Sequence, residues 1–363
     1  MTIRDERQLY EPYFGLREPP FKLTSNPRYL MLTPGHAEAL NMVQHGIATR
    51  RGILVLVGEV GTGNTTIVRA AGAAAPGSRF VHLNNPLLTR PEFLHLIADG
   101  FGLPRGIADS KPRFVAELTR HLDAFARSDV QTALIADEAH ALPNDILEEI
   151  RLLANIETDD EKLLPVVLVG QPELRERLNG PDLRQLKQRI ALRCVLNPLG
   201  LRETAAYIAG RIRVAGGDAK RVFSRDAVEL IHAYARGIPR TISVICDNAI
   251  VAGYALDERP VRASTVATIC EELDLETPAG ISPRDSVAPG TAFTFAPADS
   301  TRDEPGDPET APVDDSPASP STENEASSDS DSGTTPENSR PWRQSLTTYA
   351  GGLKRRVRTL GKP

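Results

Sequence analysis

The feature that most constrains this fold is a glycine-rich loop between a β-prone segment and a helical one. Ile53 to Val57 is a continuous apolar run with the length of a buried strand in a parallel sheet. Ile67 to Ala75 has the pattern of a helix. Between them lie Gly58, Glu59, Val60, Gly61, Thr62, Gly63, Asn64, Thr65 and Thr66. A strand, such a loop and a helix in this order predict a nucleotide phosphate site, because backbone N–H groups and a helix N-terminus meet there.

One position of this loop departs from the phosphate-loop pattern GxxxxGK[ST]. Asn64 stands where the pattern has lysine, whereas Thr65 keeps the hydroxyl that such loops place on Mg²⁺. The lysine normally brings a positive charge to the β- and γ-phosphates, and asparagine is neutral and shorter. We expect binding to persist in weakened form while the hydrolysis barrier rises by roughly 3–4 kcal/mol. Neither Arg69 nor Arg79 is placed to replace the lysine in an obvious way.

The origin of Asn64 has three explanations in the sequence. The chain is a natural relative that does not hydrolyse nucleotide, an engineered inactive variant, or a sequence with one error. The residues around Asn64 do not distinguish these three explanations.

A second apolar run ends in two acids. Thr132 to Ala136 is followed directly by Asp137 and Glu138. In a phosphate-loop protein this pair predicts that Asp137 binds Mg²⁺ through water and that Glu138 acts as general base on the attacking water. The alternative is an acid pair favoured by a helix dipole. Asp-Glu-Ala-His at 137–140 also matches a helicase signature, but the other helicase motifs are not recognisable, so His140 is predicted to be structural.

Two further polar residues are candidates for sensing nucleotide. Gln171 follows the β-prone run Leu164 to Val169, and its side chain would point between the two central strands toward a γ-phosphate. A plain strand-end turn before Pro172 explains these letters equally well. Arg240 follows Gly237 at a predicted helix start. It either reaches back to a γ-phosphate or is an ordinary residue of a helix N-terminus.

The segment Leu183 to Arg193 is rich in basic residues, which are Arg184, Lys187, Arg189 and Arg193. A solvated surface is the ordinary explanation of such a segment. An arginine finger supplied to a neighbouring subunit is the functional one.

The order of elements predicts an α/β fold with a parallel sheet, followed by a small all-helical domain and a disordered C-terminal tail. Residues 12–34 are rich in proline and aromatic residues and predict an ordered extended arm. The predicted parts are an arm and helix at 1–48, the α/β domain at 49–198, the helical domain at 199–275, an acidic linker rich in Pro and Ser at 276–340 and a basic segment at 341–363.

Composition excludes several classes of protein. The net charge of −6 comes largely from the acidic tail, so it says little about partners of the folded part. Cys194, Cys246 and Cys270 have no metal-site spacing and predict no disulfide framework. The N-terminus lacks the apolar core of a secretory signal, and no run of about 18 apolar residues predicts a membrane span. A cytoplasmic location is therefore expected.

These segments together resemble the secretion-type AAA+ ATPases of the ExeA, or general secretion pathway A, family. The resemblance covers about residues 10–275. Its matching stretches are Tyr13 to Phe21, Gly58 to Thr66, Asp137 to His140, Val169 to Leu174, Leu186 to Arg189 and Gly237 to Arg240. Each stretch alone is weak, and the set is specific.

The resemblance implies an AAA+ fold, binding of ATP and Mg²⁺, and assembly into a ring or dimer of identical subunits. It assigns Gln171 as sensor 1, Arg240 as sensor 2, and Arg189 or Arg193 as the arginine finger. It also implies that the proline-rich arm helps to enclose the adenine. Family members build envelope-spanning export machinery, so a secretion or envelope protein is the expected partner and ATP hydrolysis the expected activity, with Asn64 placing that activity in doubt.

The basic end of the chain and the function itself each have alternatives. Longer family members continue from a basic stretch into a membrane helix and a peptidoglycan-binding region, so residues 341–363 resemble a cytoplasmic juxtamembrane segment. Such a segment binds anionic lipid at the inner membrane or an acidic partner, or it is simply solvated. The competing functions are a DNA-associated, transposition-helper type of AAA+ ATPase, which the charge does not favour, and a non-hydrolysing scaffold gated by nucleotide.

Overall fold

A computed structural model describes residues 10–23, 27–29, 31–75 and 77–276 of the 363-residue chain. The predicted basic segment, and the acidic linker beyond Glu276, lie outside the described residues. The strands are Ile53–Gly58 (β1), Arg79–Leu83 (β2), Thr132–Ala136 (β3), Val166–Gly170 (β4) and Ile190–Leu196 (β5). The α-helices are Glu11–Phe14 (α1), Pro34–Ala48 (α2), Asn64–Ala73 (α3), Arg90–Phe101 (α4), Lys111–Arg127 (α5), Asn144–Leu153 (α6), Pro172–Asn179 (α7), Arg184–Lys187 (α8), Leu201–Val214 (α9), Ala219–Val222 (α10), Arg225–Ala235 (α11), Pro239–Ala255 (α12) and Ala263–Glu272 (α13).

The five strands form one sheet in the order β2-β3-β4-β1-β5, and every pair is parallel. Parallel strands bring their carboxyl ends to the same edge of the sheet. Because β4 lies between β1 and β3, the residue after β4 lies between those that follow β1 and β3. This arrangement confirms the predicted α/β fold and fixes where a ligand site forms.

Alternating residues of β1 are buried on opposite faces of the sheet, as a central parallel strand requires. Ile53, Val55 and Val57 join a core that includes buried residues of α4, α5 and α6. Leu54 and Leu56 join a second core with residues of α2 and α3. Both faces of the sheet are therefore covered, and the sheet edge where the carboxyl ends meet is left for the site.

In the described residues after β5, from 197 to 276, all the regular elements are helices, which confirms the predicted change to an all-helical part. Helices α11, α12 and α13 pack on one another, and α9 packs on α11 and α12. The domain boundaries assigned from the sequence stay predictions.

The described residues of the proline-rich arm pack on these helices. Arg17 N–H donates to Ala215 O at 2.8 Å, and the Phe21 and Phe223 rings meet edge to face at 6.3 Å. The arm is not extended throughout, because α1 forms one helical turn at Glu11–Phe14. A proline in the first turn lacks only an N–H group that has no helical acceptor, so Pro12 does not prevent the turn.

Strand β5 was not predicted from the sequence. Its burial alternates between partly buried and exposed residues along Ile190–Leu196, because β5 occupies the end of the strand order and α2 packs against it. Arg193 and the polar residues before β5 hid the strand pattern that the apolar central strands show so clearly.

Candidate functional site

The glycine-rich loop connects β1 to α3 at the carboxyl edge of the sheet. Gly61 has a φ of 85°, and a Cβ there would lie 2.8 Å from Arg240 Cβ, so the close approach of the helical part requires glycine. The first N–H groups of a helix have no acceptor within it, and Asn64, Thr65 and Thr66 of α3 line the adjacent cleft. The loop thus presents N–H donors and a helix N-terminus to an anion.

His36, at the start of α2, supports the loop from behind. Its Nε2 lies 2.8 Å from Thr62 O, and since a carbonyl only accepts, Nε2 carries the proton. Its Nδ1 lies 2.7 Å from Thr33 Oγ1. His36 is 8% exposed and Thr62 is fully buried. Sequence reasoning missed His36 because its contact spans 26 positions and no local pattern marks it.

Asn64 directs its amide toward the strand ends. Nδ2 donates to Gly58 O at 2.9 Å and lies 3.4 Å from Gly170 O. These carbonyls belong to the last residues of β1 and β4. Oδ1 is buried and has no hydrogen-bond partner in the described part of the chain. The side chain at the lysine position therefore engages the backbone and brings no positive charge to the loop.

Thr65 and Asp137 meet at the centre of the site, as the two motifs predict. Thr65 Oγ1 donates to Asp137 Oδ2 at 2.8 Å, and Asp137 Oδ1 accepts from Glu138 N at 3.0 Å. Mg²⁺ prefers oxygen ligands and keeps several of its waters. The hydroxyl and the carboxylate are thus the groups that would hold Mg²⁺, directly or through water, beside the phosphates.

The predicted base and the predicted sensor are in contact. Glu138 is exposed and has a φ of 53°, and its Oε2 accepts from Gln171 Nε2 at 3.3 Å. His140 Nδ1 lies 3.5 Å from Glu138 Oε2 and accepts from Gln171 N at 3.5 Å. Glu138 and Gln171 lie close together because they follow β3 and β4, which are neighbouring parallel strands. His140 thus lies against both polar residues and accepts from the main chain of Gln171, and its predicted structural role stays a prediction.

Arg240 reaches the loop from α12. Its N–H donates to Gly61 O at 3.3 Å, and its side chain is exposed along the cleft. Gly237, three residues earlier, has a φ of 73°, and a Cβ there would collide with Leu199 O. Leu199 N–H in turn donates to Gly237 O at 2.8 Å. This close approach of Gly237 to the Leu199 backbone explains why position 237 is a glycine. It also places Arg240 beside the glycine-rich loop.

The basic residues considered for an arginine finger lie away from the glycine-rich loop of the same chain. Ile190 pairs with Ile53 at the start of β1, so Arg189, just before β5, is at the sheet edge opposite the loop. Arg193 pairs with Val55 in mid-strand. Both arginines are exposed, as are Arg184 and Lys187 of α8. A finger role for any of them requires a neighbouring subunit and stays a prediction.

Of the two arginines considered as substitutes for the lysine, Arg69 lines the cleft. Arg79 begins β2 and pairs with Thr132 at the start of β3, at the opposite edge of the sheet. Burial, followed by the charge of Arg69, lowers the pKa of His82 on β2, so this imidazole stays neutral near pH 7.

The loop, the acids and the helical part enclose a cleft of about 840 Å³. Its wall includes Gly61, Thr65, Asp137 and Arg240 at the phosphate loop, and Lys22 and Tyr29 of the arm. The positive-φ glycines, the helix N-terminus and the Thr65–Asp137 pair fit the polyphosphate and Mg²⁺ of a nucleotide. None of these features depends on the side chain of residue 64.

Comparison with known proteins is consistent with this geometry. An AAA domain family model matches residues 47–178. General secretion pathway protein A of Aeromonas hydrophila is 41% identical over 249 residues, which are 68% of this chain and 45% of that protein. The match therefore spans less than half of that relative.

Solved structures share the fold at low identity. Cdc6p from Pyrobaculum aerophilum is 19% identical, with a TM-score of 0.54 over 72% of each chain. The ORC2 protein of Aeropyrum pernix is 20% identical, with a TM-score of 0.51 over 70% of this chain and 71% of that one. At such identities the likeness concerns the fold alone. Within the described residues, no helix combines the length and the apolar character needed to cross a membrane.

Proposed function

We propose that this chain, which belongs to the AAA ATPases of the general secretion pathway protein A family, binds ATP with Mg²⁺ but turns it over slowly because of Asn64. The observation that carries the proposal is the contrast within one site. Thr65, Asp137, Glu138 and Gln171 form hydrogen-bonded pairs, whereas the Asn64 amide is bonded to the backbone.

Each side chain of the site has a distinct part in this proposal. When bound, Mg²⁺ neutralises charge on the phosphates. Thr65 and Asp137 hold the metal, and Glu138 accepts a proton from the attacking water. Gln171 orients Glu138 through its amide and senses the terminal phosphate. Arg240 carries positive charge from the helical part to the loop.

Asn64 affects hydrolysis more than binding for a physical reason. The N–H groups of the loop bind the phosphates through backbone geometry, which does not depend on side chain 64. The missing cation would stabilise charge that develops on the transferring group, so its loss raises the barrier by about 3–4 kcal/mol, by analogy with removal of one preorganised donor. Such a barrier corresponds to a rate about 100- to 1000-fold lower.

The nucleotide state of this site would serve the assembly or regulation of a secretion or export complex. Similarity to general secretion pathway protein A supports this partner class. In the proposal, identical subunits assemble and Arg189 or Arg193 of one subunit acts on the nucleotide of the next.

A paired assay of the unmodified chain and Asn64→Lys tests the proposal. Nucleotide affinity and phosphate release are both measured with ATP and Mg²⁺. Asn64→Met, which has length without charge, is the matched control. We expect nucleotide binding by all three proteins and a gain in turnover of about 100-fold or more for Asn64→Lys alone.

Two results would overturn the proposal. If the unmodified chain hydrolyses ATP at the rate of Asn64→Lys, residue 64 does not limit turnover. If neither protein binds nucleotide, the cleft is not a nucleotide site. A gain that Asn64→Met reproduces would assign the effect to side-chain length instead of charge.

A further inference from the structure

The proline-rich arm forms part of the wall of the cleft. Lys22, Leu23, Tyr29 and Met31 of the arm line it, together with residues of the glycine-rich loop and of α3. A nucleotide whose phosphates lie on the loop extends its sugar and base away from the loop. The arm residues are therefore in the position to contact the base.

Arg211 of α9 attaches the arm to the helices. Its Nε donates to Pro20 O at 2.7 Å and its Nη2 to Lys22 O at 3.0 Å. Both acceptors are main-chain carbonyls about 190 positions away, on either side of Phe21. Arg211 is only 7% exposed. Burying a charged group is costly unless hydrogen bonds satisfy it. Here the bonds that satisfy Arg211 also fix the position of the arm backbone at Pro20 and Lys22.

Aromatic rings complete the surroundings of this guanidinium. Its central carbon lies 5.1 Å from the Tyr29 ring centre, 5.5 Å from that of Tyr207 and 5.8 Å from that of Phe21. These distances are in the range of cation–π attraction. Two of the rings belong to the arm, so Arg211 contacts the arm through both its carbonyls and its aromatic side chains.

The same guanidinium is linked to the start of α12. Arg211 Nη1 donates to Tyr207 Oη at 2.6 Å, and Tyr207 Oη lies 2.9 Å from Ser243 Oγ. Ser243 Oγ donates to Pro239 O at 2.9 Å, and Pro239 immediately precedes Arg240. A continuous chain of hydrogen bonds therefore joins the arm to Pro239 O, one residue before Arg240, which lies beside the phosphate loop.

We propose that Arg211 is a positioning residue that holds the arm over the base end of the nucleotide cleft, so that the base as well as the polyphosphate contributes to affinity. This inference rests on the proposed nucleotide function of the cleft. Arg211 also lines the cleft, and the role proposed for it is to hold the arm through the bonds described above.

The planar guanidinium is required for this geometry. Three of its nitrogens donate in different directions to Pro20 O, Lys22 O and Tyr207 Oη. A lysine ammonium is a compact charge that lacks this fork, so it cannot keep both arm carbonyls and the tyrosine together. Arg211→Lys therefore keeps the charge and loosens the arm.

The test compares the affinity for ATP with that for inorganic tripolyphosphate, each with Mg²⁺. For Arg211→Lys we expect the ATP affinity to fall about tenfold, a change of about 1.4 kcal/mol, and the tripolyphosphate affinity to stay the same. Arg213→Met is the matched control, because Arg213 is an exposed arginine on the same helix. It should leave both affinities unchanged.

Tyr207→Phe provides a second variant, with a milder change. It keeps the ring and removes the hydroxyl between Arg211 and Ser243, so a smaller loss of ATP affinity in the same direction is expected. If circular dichroism reports that Arg211→Lys is unfolded, Tyr207→Phe decides the question.

The outcomes separate this inference from the function on which it rests. If the unmodified chain binds neither ligand, the nucleotide function fails and the inference with it. If the unmodified chain binds ATP and the folded variants keep their ATP affinity, only the role of Arg211 is wrong. Equal losses for ATP and tripolyphosphate also contradict it, because a general structural defect would not distinguish the base from the phosphates.

Discussion

Replacement of His36 by leucine tests whether the phosphate loop depends on a support outside its motif. The imidazole donates to Thr62 O at 2.8 Å and contacts Thr33 Oγ1 at 2.7 Å. Leucine fills a similar volume, so the cavity contribution is small. The Thr62 carbonyl, in a residue with no exposed surface, loses its donor. A buried polar group left without a partner costs about 1–3 kcal/mol, and we expect a loss of about 2 kcal/mol in unfolding free energy.

The assay is equilibrium urea denaturation without nucleotide, because a bound ligand would add its own stabilisation. The midpoint should fall with an unchanged slope. Nucleotide titration of the folded variant should also report weaker binding, since the loop carbonyl next to Gly63 is no longer fixed. His36→Gln retains a donor that can reach Thr62 O, so it should recover part of both losses.

His45→Leu is the matched control, because His45 is an exposed histidine on the same helix, α2. Exposed substitutions of this kind change stability by about 0.5 kcal/mol or less. If His36→Leu remains within that range and binds nucleotide as the unmodified chain does, the support assigned to His36 is refuted.

Two predictions concern acidic residues away from the loop, of which Glu149 is buried and Asp247 is partly buried. The Glu149 side chain is 2% exposed and accepts from Lys111 Nζ at 2.8 Å while also pairing with Arg90; Glu149→Gln should lower the unfolding free energy by about 1–3 kcal/mol, and an unchanged urea midpoint would contradict this. Burial raises the pKa of the Asp247 carboxyl above its ordinary 3.8. The native state therefore binds this proton more tightly than the unfolded state does. The free energy of unfolding falls as the pH rises from about 3.8, the pKa in the unfolded state, through the higher native pKa. Asp247→Asn should therefore stabilise the chain at pH 7 in thermal unfolding, with a gain that shrinks toward pH 3; a gain independent of pH would exclude titration as its cause.

The central fold was predictable because its signals are local. Strand β3 coincides with the apolar run Thr132 to Ala136, and β1 extends the predicted run by one residue to Gly58. A strand buried on both faces needs apolar residues at every position, and sequence reveals this directly. Strand β5 needs them on one face only, and the exposed Arg193 within it concealed the pattern.

The contacts at the phosphate loop could be predicted from the sequence, whereas the contacts that hold the arm could not. The contact of Thr65 with Asp137 follows from a general rule, since parallel strands bring their carboxyl ends together. The bonds from Arg211 to Pro20 and Lys22 follow from no such rule. They depend on how the arm crosses α9, and a lone arginine in a helical pattern carries no sign of partners so far away in the chain.

The environment of Asn64 gives this neutral residue a local role in the empty loop. Asn64 Nδ2 donates to Gly58 O, a bond that a lysine stem in the same place could not make, since its only donors lie at the end of a long side chain. Asn64→Lys should therefore lose a local hydrogen bond of about 0.5–1.5 kcal/mol in the nucleotide-free state. The cation would recover this cost only when phosphates are bound. Residue 64 thus shifts the balance between a stable empty loop and an active occupied one, and its effect on stability should reverse in sign when saturating nucleotide is added.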